Sequence, residues 1–135
     1  MLTTSDGPFG RADRVTWSQA SDAPLCLLAR DMQSRRIVDA VLRRVGIEPK
    51  PLMETDSVNA VIAHVRAGHW ASIMPNSALE TVEMTDKLRA IPLVEPDVFH
   101  TIGLVVSERY PIQPGVASLI DEARTRAPGG LLPAA

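Results

Sequence analysis

Residues 24–75, PLCLLARDMQSRRIVDAVLRRVGIEPKPLMETDSVNAVIAHVRAGHWASIMP, carry the clearest pattern of secondary structure in the chain. Short apolar runs alternate in this stretch with longer segments whose apolar residues recur at helical spacing. The short runs are typical of buried strands, and the longer segments are typical of amphipathic helices. The runs are apolar on both faces, as a sheet covered by helices requires. This alternation predicts an α/β domain with a mainly parallel sheet flanked by helices.

The predicted elements of this stretch are strands and helices in turn. The strands are Pro24–Leu28, Pro51–Glu54 and Ala71–Met74. The first helix has Ile37, Val38, Val41, Leu42 and Val45 on one face, and the second has Val58, Val61, Ile62 and Val65. The candidate N-caps are Asp31 or Ser34 for the first helix and Asp56 or Ser57 for the second. Gly46 and Gly68 follow the last apolar residues and are expected to end the helices.

Further elements flank the stretch. Ile91–Val94 and Thr101–Val106 are predicted strands, Asn76 can cap a short helix through about Val82, and a last helix begins near Pro114. Proline is favourable in the first turn of a helix. Asp6-Gly7-Pro8 indicates a turn. Residues 127–135, APGGLLPAA, are expected to form a flexible tail.

Composition limits the classes of function. The chain has 135 residues, 45% hydrophobic and 22% charged, which fits one globular domain with its own core. The net charge is −2 and the pI about 5.9, and no block of like charge occurs. This chain therefore lacks the basic surface of a nucleic-acid-binding domain. Aromatic residues, at 4%, are too few for a base-stacking surface.

The single cysteine and the lack of long apolar runs favour a cytoplasmic protein. Cys26 lies inside an apolar run, and one cysteine excludes both a disulfide framework and a cysteine-rich metal site. No apolar run reaches the length that spans a membrane. The start, MLTTSDGPFG, lacks the basic region and apolar stretch of a signal peptide. We therefore expect a cytoplasmic location.

Residues with catalytic or metal-binding chemistry form no recognisable cluster. His64 and His69 are five positions apart, whereas a helical metal pair is separated by about four. Neither a phosphate-binding glycine motif nor a nucleophile-elbow motif occurs. Glu54 and Asp56 stay open as an acid/base pair. The sequence favours a protein that is not an enzyme and that needs no metal or cofactor.

Polar residues mark the points where predicted strands pass into helices. These junctions are Ala29–Ser34, Glu54–Ser57 and Met74–Ser77. Ligands of parallel α/β sheets bind beyond the carboxyl ends of the strands, where helix N-termini carry partial positive charge. This edge is expected to suit a carboxylate, phosphate or sulfate.

Ordinary helix capping explains several of the same residues. Asp56, Ser57 and Asn76 are common cap residues without any ligand. Glu54 and Asp56 would also repel an anion unless they point away or are neutralised. Positive charge is available from Arg30, Arg35 and Arg36, of which at least two are expected on the solvated surface.

The quoted stretch, followed by LRAIPLVEPDVFHTIGLVVSERYPIQPGVASLIDEAR, resembles the effector-binding domain of LysR-type transcriptional regulators. The resemblance runs from about Met1 to Arg126. Its most specific parts are the D-S pair followed by V-x-x-G, a strand and M-P, then the I-P-L strand and the terminal strand-loop-helix. Their order and spacing carry the resemblance.

The resemblance implies a type 2 periplasmic-binding-protein-like fold, of which this chain holds mostly the second regulatory subdomain. Residues 1–107 would form that effector-binding subdomain, with Met1–Thr4 and Thr101–Val106 as the strands that cross the hinge. Residues 108–126 would return as a segment and helix toward the first subdomain, and residues 127–135 would form the tail. Most of the first subdomain, a linker helix and a winged helix-turn-helix would lie before Met1.

The resemblance also implies a function and a site. The chain would be the ligand-sensing domain of a bacterial regulator, a homo-oligomer that reaches promoter DNA only through the winged helix-turn-helix. A small effector, expected to be an organic anion, would bind in the cleft between subdomains. The implied effector-binding residues are Arg30, Asp31, Met32, Gln33, Glu54, Thr55, Asp56 and Ser57.

Two departures from the family pattern and two rival functions complete the prediction. Many members have G-x-G where this chain has Gly68-His69-Trp70, and the bulk of Trp70 is expected to fill the core. Peroxide-sensing members carry a reactive cysteine where this chain has ARDMQS, so a thiol switch is not expected. The rivals are a solute-binding protein of a transport system and a small α/β enzyme.

Overall fold

The computed structural model of the chain describes residues 1–79, 82, 87–100, 103–107 and 113–126. Its elements are β1 (Leu2–Thr4), β2 (Val15–Thr16), α1 (Trp17–Ala20), β3 (Cys26–Leu28), α2 (Gln33–Arg44), β4 (Met53–Thr55), α3 (Val58–Arg66), α4 (Asn76–Leu79), β5 (Leu88–Ala90), β6 (Leu93–Val94) and α5 (Pro114–Arg126). The chain divides into two compact units, Met1–Val98 and Phe99–Ala135. The first unit carries all the strands listed above and helices α1 to α4.

The strands of the first unit form a mixed array. β3 pairs in parallel with β4, and Leu25 bridges Ala71 in parallel. Ser72 bridges Leu2 in the antiparallel sense, and β1 pairs antiparallel with β5. The order across the array is therefore β4, β3, residues 71–72, β1 and β5. The array is parallel on the β4 side and becomes antiparallel where β1 enters.

Helices cover both faces of this array. Leu25 and Leu27 pack in a buried cluster with residues of α1 and α2, whereas Cys26 and Leu28 pack in a second cluster with residues of α3. Because successive strand side chains point to opposite faces, α2 and α3 lie on opposite sides of β3. Burial of each Leu or Val side chain in these clusters stabilises the folded state by roughly 1.5 to 3 kcal/mol. The prediction of strands that are apolar on both faces is confirmed for β3, whereas β4 departs from it, because Glu54 is exposed between the half-buried Met53 and Thr55.

Helices α2 and α3 end at the predicted glycines. Gly46 and Gly68 have φ angles of +79° and +89°, a backbone conformation that residues with a Cβ atom rarely adopt. The start of α3 is also as predicted. Ser57 is its N-cap, and the Ser57 Oγ accepts a hydrogen bond from the Ala60 N–H at 3.3 Å.

The predicted N-cap of α2 is wrong. The residue at that position is Met32, with φ −77° and ψ 136°, and its side chain makes no capping hydrogen bond. Asp31 lies one residue too early and Ser34 already lies inside the first turn, so neither side chain occupies the capping position. Met32 instead packs against the second buried cluster, so apolar packing holds the start of α2.

Two predicted strands are shorter or displaced. Of Ala71–Met74, only Ala71 and Ser72 form bridges to neighbouring strands. Of the predicted strand Ile91–Val94, only Leu93 and Val94 lie in a strand, β6, and a separate strand, β5 (Leu88–Ala90), ends just before it. Pro92 separates the two because it has no N–H to donate; its carbonyl accepts from the Val15 N–H at 3.1 Å. The chain thereby leaves β1 as its partner and joins β2, which pairs in parallel with β6.

Helix α1 was not predicted, although its sequence carries a local signal. The side chain of Thr16 accepts from the Gln19 N–H and the Gln19 side chain accepts from the Thr16 N–H, which is a capping box. Trp17 in the first turn is buried, and its Nε1–H donates to the Pro96 carbonyl at 3.0 Å. This bond ties α1 to the segment after β6.

The remaining predictions concern residues 76–82 and the second unit. The predicted short helix is present as α4, but Asn76 is its first residue rather than its N-cap, and it ends at Leu79. Residues 80–81 lie outside the described residues, and Val82 is not helical. The predicted strand Thr101–Val106 is wrong for 103–106, because no backbone hydrogen bond joins those residues to another strand in the part of the chain that is described. Residues 101–102 and the predicted tail 127–135 lie outside that part. The last helix is confirmed as α5.

Candidate functional site

The carboxyl ends of β3 and β4 lie side by side at one edge of the array. The two strands are parallel, and Leu28 pairs with Thr55 in register. One residue beyond, the Ala29 N–H donates to the Thr55 carbonyl at 2.8 Å. The loops that lead into α2 and α3 therefore leave the array from the same edge, as the strand order predicts.

The structure brings the two groups of predicted site residues to this edge. At the β3–α2 junction, Arg30, Asp31 and Gln33, the first residue of α2, are exposed and Met32 is half-buried. At the β4–α3 junction, Glu54 and Thr55 end β4, with Glu54 exposed and Thr55 half-buried, and the following Asp56 and Ser57 are exposed. The third junction, which follows residues 71–74, leaves at the same edge, because the chain at Ala71 is bridged to Leu25 in the parallel sense. Its residues Pro75, Asn76 and Ser77 are exposed.

Local hydrogen bonds already use part of the polar capacity of the β4–α3 loop. The Thr55 Oγ1 accepts from the Ser57 N–H at 3.2 Å, and Ser57 caps α3 through the Ala60 N–H. The capping explanation of Ser57 is thus confirmed, while that of Asp56 is wrong, because Ser57 occupies the N-cap. Asp56 remains an exposed acid at the helix start.

A buried arginine lies directly behind the edge. Arg35, in the first turn of α2, is only 1% exposed. Its Nε–H donates to Asp39 Oδ1 at 2.6 Å, its Nη1–H to the Leu28 carbonyl at 2.7 Å, and its Nη2–H to Glu54 Oε1 at 2.9 Å. The same Glu54 oxygen accepts a longer bond of 3.5 Å from the exposed Arg30. We call Arg30, Arg35, Asp39 and Glu54 the arginine cluster.

The arginine cluster keeps Glu54 ionised. The hydrogen bond from Arg35 is the main cause that lowers the pKa of Glu54 below its ordinary value of 4.5. Burial opposes this effect, and the charges of Arg35 and Arg30 reinforce it. For Arg35, burial is the largest single influence and acts to lower its pKa. The hydrogen bonds and charges of Asp39 and Glu54 outweigh that influence and leave the pKa of Arg35 raised.

The charges of the cluster reduce the repulsion that was expected between Glu54 and a bound anion. Two carboxylates face two guanidinium groups within it, so the negative charge of Glu54 is neutralised locally. Arg30 keeps a side chain that is 66% exposed, and Arg36 is exposed as well. The expectation that at least two of the three arginines are solvated is confirmed, and the third is the buried Arg35.

Comparison with known proteins gives the family. Residues 1–128 match the LysR substrate binding domain. The chain belongs to this family. A curated relative, the probable nitrogen assimilation transcriptional activator of Synechococcus elongatus, is 27% identical over 108 residues, which is 80% of this chain and 35% of the relative. The chain thus spans about a third of the length of that relative.

Solved structures of LysR family regulators have the same α/β fold. HinK from Pseudomonas aeruginosa superposes with a TM-score of 0.70 at 22% identity, over 93% of this chain and 43% of HinK. Full-length CbnR in complex with its target DNA gives a TM-score of 0.63 at 17% identity, again over 93% and 43%. The family match does not favour the rival interpretation as a transport solute-binding protein.

The described residues of this LysR domain give little support to the rival enzyme. Glu54 stays ionised, so it is a poor general acid at neutral pH. Cys26 is buried, and burial raises the pKa of its thiol, which opposes nucleophilic chemistry. The ring of His64 lies edge-on to the ring of Trp70, with the two ring centroids 6.2 Å apart.

Within the described ranges, no three His, Cys, Asp or Glu residues are close enough to hold a metal ion. No helix in those ranges is long and apolar enough to cross a membrane.

A concavity of about 430 Å³ lies elsewhere in the first unit, lined by residues between Ser5 and Ala12. It follows the end of β1, and β1 runs antiparallel to residues 71–72. The concavity is therefore at the opposite end of the array from Arg30 and Glu54. It holds none of the predicted site residues, and the edge stays the better candidate site.

Sequence reasoning did not identify the burial of Arg35. One signal was present: Arg35 and Asp39 are four positions apart in a predicted helix, which places their side chains next to each other. The same spacing is common on solvated helix surfaces, so spacing alone does not indicate burial. Asp39, which is 6% exposed, was likewise not singled out.

Proposed function

We propose that this chain is the ligand-sensing part of a bacterial LysR-type transcriptional regulator, and that it binds a small anionic effector at the edge where β3 and β4 end. The observation that carries the proposal is the meeting of two polar strand-to-helix junctions at one edge, beside the exposed Arg30. Membership in the LysR substrate binding domain family supports it.

An anion fits the charge arrangement of this edge. The starts of α2 and α3 both face it, and helix N-termini favour negative charge. Glu54 is paired with Arg35 and so offers less repulsion. Arg30 supplies an exposed cation. The proposed effector-binding residues are Arg30, Asp31, Met32, Gln33, Glu54, Thr55, Asp56 and Ser57.

The proposal places this chain in a larger regulator. Residues 1–107 form the second effector-binding subdomain, with Met1–Thr4 as a hinge strand, and residues 108–126 return toward a first subdomain. The effector lies in the cleft between the two subdomains of a cytoplasmic homo-oligomer, without a cofactor. Promoter DNA is bound by a winged helix-turn-helix elsewhere in the protein. Because a ligand shifts an equilibrium only through its differential affinity, the effector must bind one subdomain arrangement more tightly than the other.

A thermal-shift screen tests the effector site. The intact protein is screened against small carboxylates, phosphates and sulfate, and each stabilising ligand is tested again on Ser57→Ala. Thr16→Ala is the matched control, because Thr16 caps α1 and lies in neither junction. Loss of either cap costs about 1 kcal/mol without ligand, so the comparison rests on the ligand-induced shift alone.

A ligand whose shift is lost in Ser57→Ala and kept in Thr16→Ala supports binding at this edge. A shift that Ser57→Ala leaves unchanged means that Ser57 only caps α3 and moves the search to residues 29–34 or to the other subdomain. If no anion in the screen stabilises the protein, the proposed effector class is refuted.

A further inference from the structure

The guanidinium of Arg35 is bonded to three different parts of the fold. The Leu28 carbonyl is at the last residue of β3, Glu54 is in β4, and Asp39 is one turn further along α2. One rigid group therefore fixes the distance between the two strand ends and the helix that follows the first of them.

Only an arginine can make this set of bonds. Its planar fork directs several N–H groups in fixed directions, whereas a lysine ammonium is a single point donor on a flexible stem. The side chain of Arg35 is fully buried and that of Asp39 is 9% exposed. A charge in such a place must be paired and hydrogen-bonded, so the three acceptors hold the fork in one orientation.

Glu54 extends this alignment to the surface. Its side chain is 36% exposed, and its Oε1 bonds the buried Arg35 and the exposed Arg30. Arg30 lies in the loop after β3, and Glu54 lies in the strand before the other loop. Arg35 thus reaches both junctions, one through the Leu28 carbonyl and one through Glu54.

We propose that Arg35 is the positioning residue of this edge: it sets the β3–α2 junction against the β4–α3 junction and, through Glu54, holds Arg30 in place. Its importance for effector binding rests on the proposed function, whereas the alignment itself does not. Arg35 does not touch the proposed ligand.

Amide hydrogen exchange, followed by mass spectrometry on the intact protein without ligand, tests the alignment. The variants are Glu54→Gln, which changes the bond to β4, Arg35→Lys, which changes all three bonds, and Asp39→Asn, which changes only contacts within α2. Arg36→Met is the control, since Arg36 is the exposed neighbour on the same helix. Arg35→Met is added if it folds.

We expect faster exchange in peptides that cover residues 28–33 and 54–60. In Glu54→Gln and Arg35→Lys, the exchange rate of these junction peptides is expected to rise about tenfold more than the rate of core peptides of α2 and α3, because the junctions open locally. In Asp39→Asn any rise is uniform over the first unit, and Arg36→Met exchanges like the wild type. Equal changes at the junctions and in the core for Glu54→Gln, or wild-type exchange in Arg35→Lys, would overturn the proposal.

The two proposals fail separately. If exchange supports the alignment but no anion stabilises the protein, Arg35 orders an edge that does not bind the proposed effector class. If an anion is bound at the edge and exchange changes uniformly, the effector site stands and Arg35 only stabilises the fold.

Discussion

Helices α2 and α5 are similar in length and carry the same kind of ion pair in different surroundings. Arg35 and Asp39 in α2 are four residues apart, and so are Glu122 and Arg126 in α5. The side chains of the first pair are 0% and 9% exposed, whereas Arg126 and Glu122 are 81% and 56% exposed. Helix α2 buries residues on one face, and none of the α5 residues is buried.

This difference shows that the spacing of a pair does not determine its energetic role. An exposed pair gains little, because water screens the charges and ordering two long side chains costs entropy. A buried pair gains little over an apolar pair either, yet loss of one partner leaves a charge without compensation. We therefore expect α2 to be sensitive at its ion pair and α5 to be insensitive.

The largest expected effect is that of Arg35→Met. It leaves Asp39 buried without its main partner and removes a donor from the Leu28 carbonyl. The free energy of unfolding is expected to fall by about 3 to 5 kcal/mol. The matched change in α5, Arg126→Met, is expected to cost less than about 1 kcal/mol. Urea unfolding of both variants measures the difference. Equal losses in the free energy of unfolding would contradict the expected difference between the buried and the exposed ion pair.

The apolar faces of the two helices give the next largest difference. Leu42 of α2 is fully buried, whereas Leu119 of α5 is 57% exposed. Leu42→Ala is expected to lower the free energy of unfolding by about 2 to 5 kcal/mol, since it leaves a cavity, and Leu119→Ala by less than about 1 kcal/mol. Thermal and urea unfolding measure both. A large loss for Leu119→Ala in a longer protein would reveal that another segment covers α5.

Glu54 provides a smaller effect that depends on pH. Its pKa is lowered in the folded state by the hydrogen bond from Arg35 and stands at its ordinary value of 4.5 once unfolded. The stabilisation is therefore present above about pH 4.5 and is lost as the pH falls through the lower folded value. At neutral pH, Glu54→Gln is expected to cost about 1 kcal/mol, because Glu54 is partly exposed.

The measurement is the free energy of unfolding from about pH 7 to about pH 3. The difference between wild type and Glu54→Gln is expected to shrink as the pH falls. A difference that stays constant with pH would mean that Glu54 stabilises the fold without its charge.

The smallest expected effect comes from an exposed arginine of α2 itself. Arg43 lies 3.8 Å from Asp39 and 3.6 Å from Glu48, and its side chain is 56% exposed. Arg43→Met is expected to change the free energy of unfolding by no more than about 0.5 kcal/mol. A loss close to that of Arg35→Met would mean that membership of α2, rather than burial, decides the effect.

Local order in the sequence was enough to predict part of this protein. The apolar faces of α2 and α3, the glycines at their ends and a cap of α3 at Asp56 or Ser57 follow from residues within a turn or two of each other. The polar junctions after β3 and β4, and with them the candidate edge, follow from the alternation of strands and helices.

The pairing of the segments and the burial of charges depend on the tertiary structure. A strand needs a partner for its backbone groups. The pairing of Ala71 and Ser72, the separate strand β5 and the lack of a strand at 103–106 within the described part of the chain were therefore not evident from local patterns. Arg35 is buried because its guanidinium meets the Leu28 carbonyl of the preceding strand and Glu54 of the next one, 19 residues along the chain. The physical reason is that burial and pairing depend on contacts between distant residues, which residue spacing does not encode.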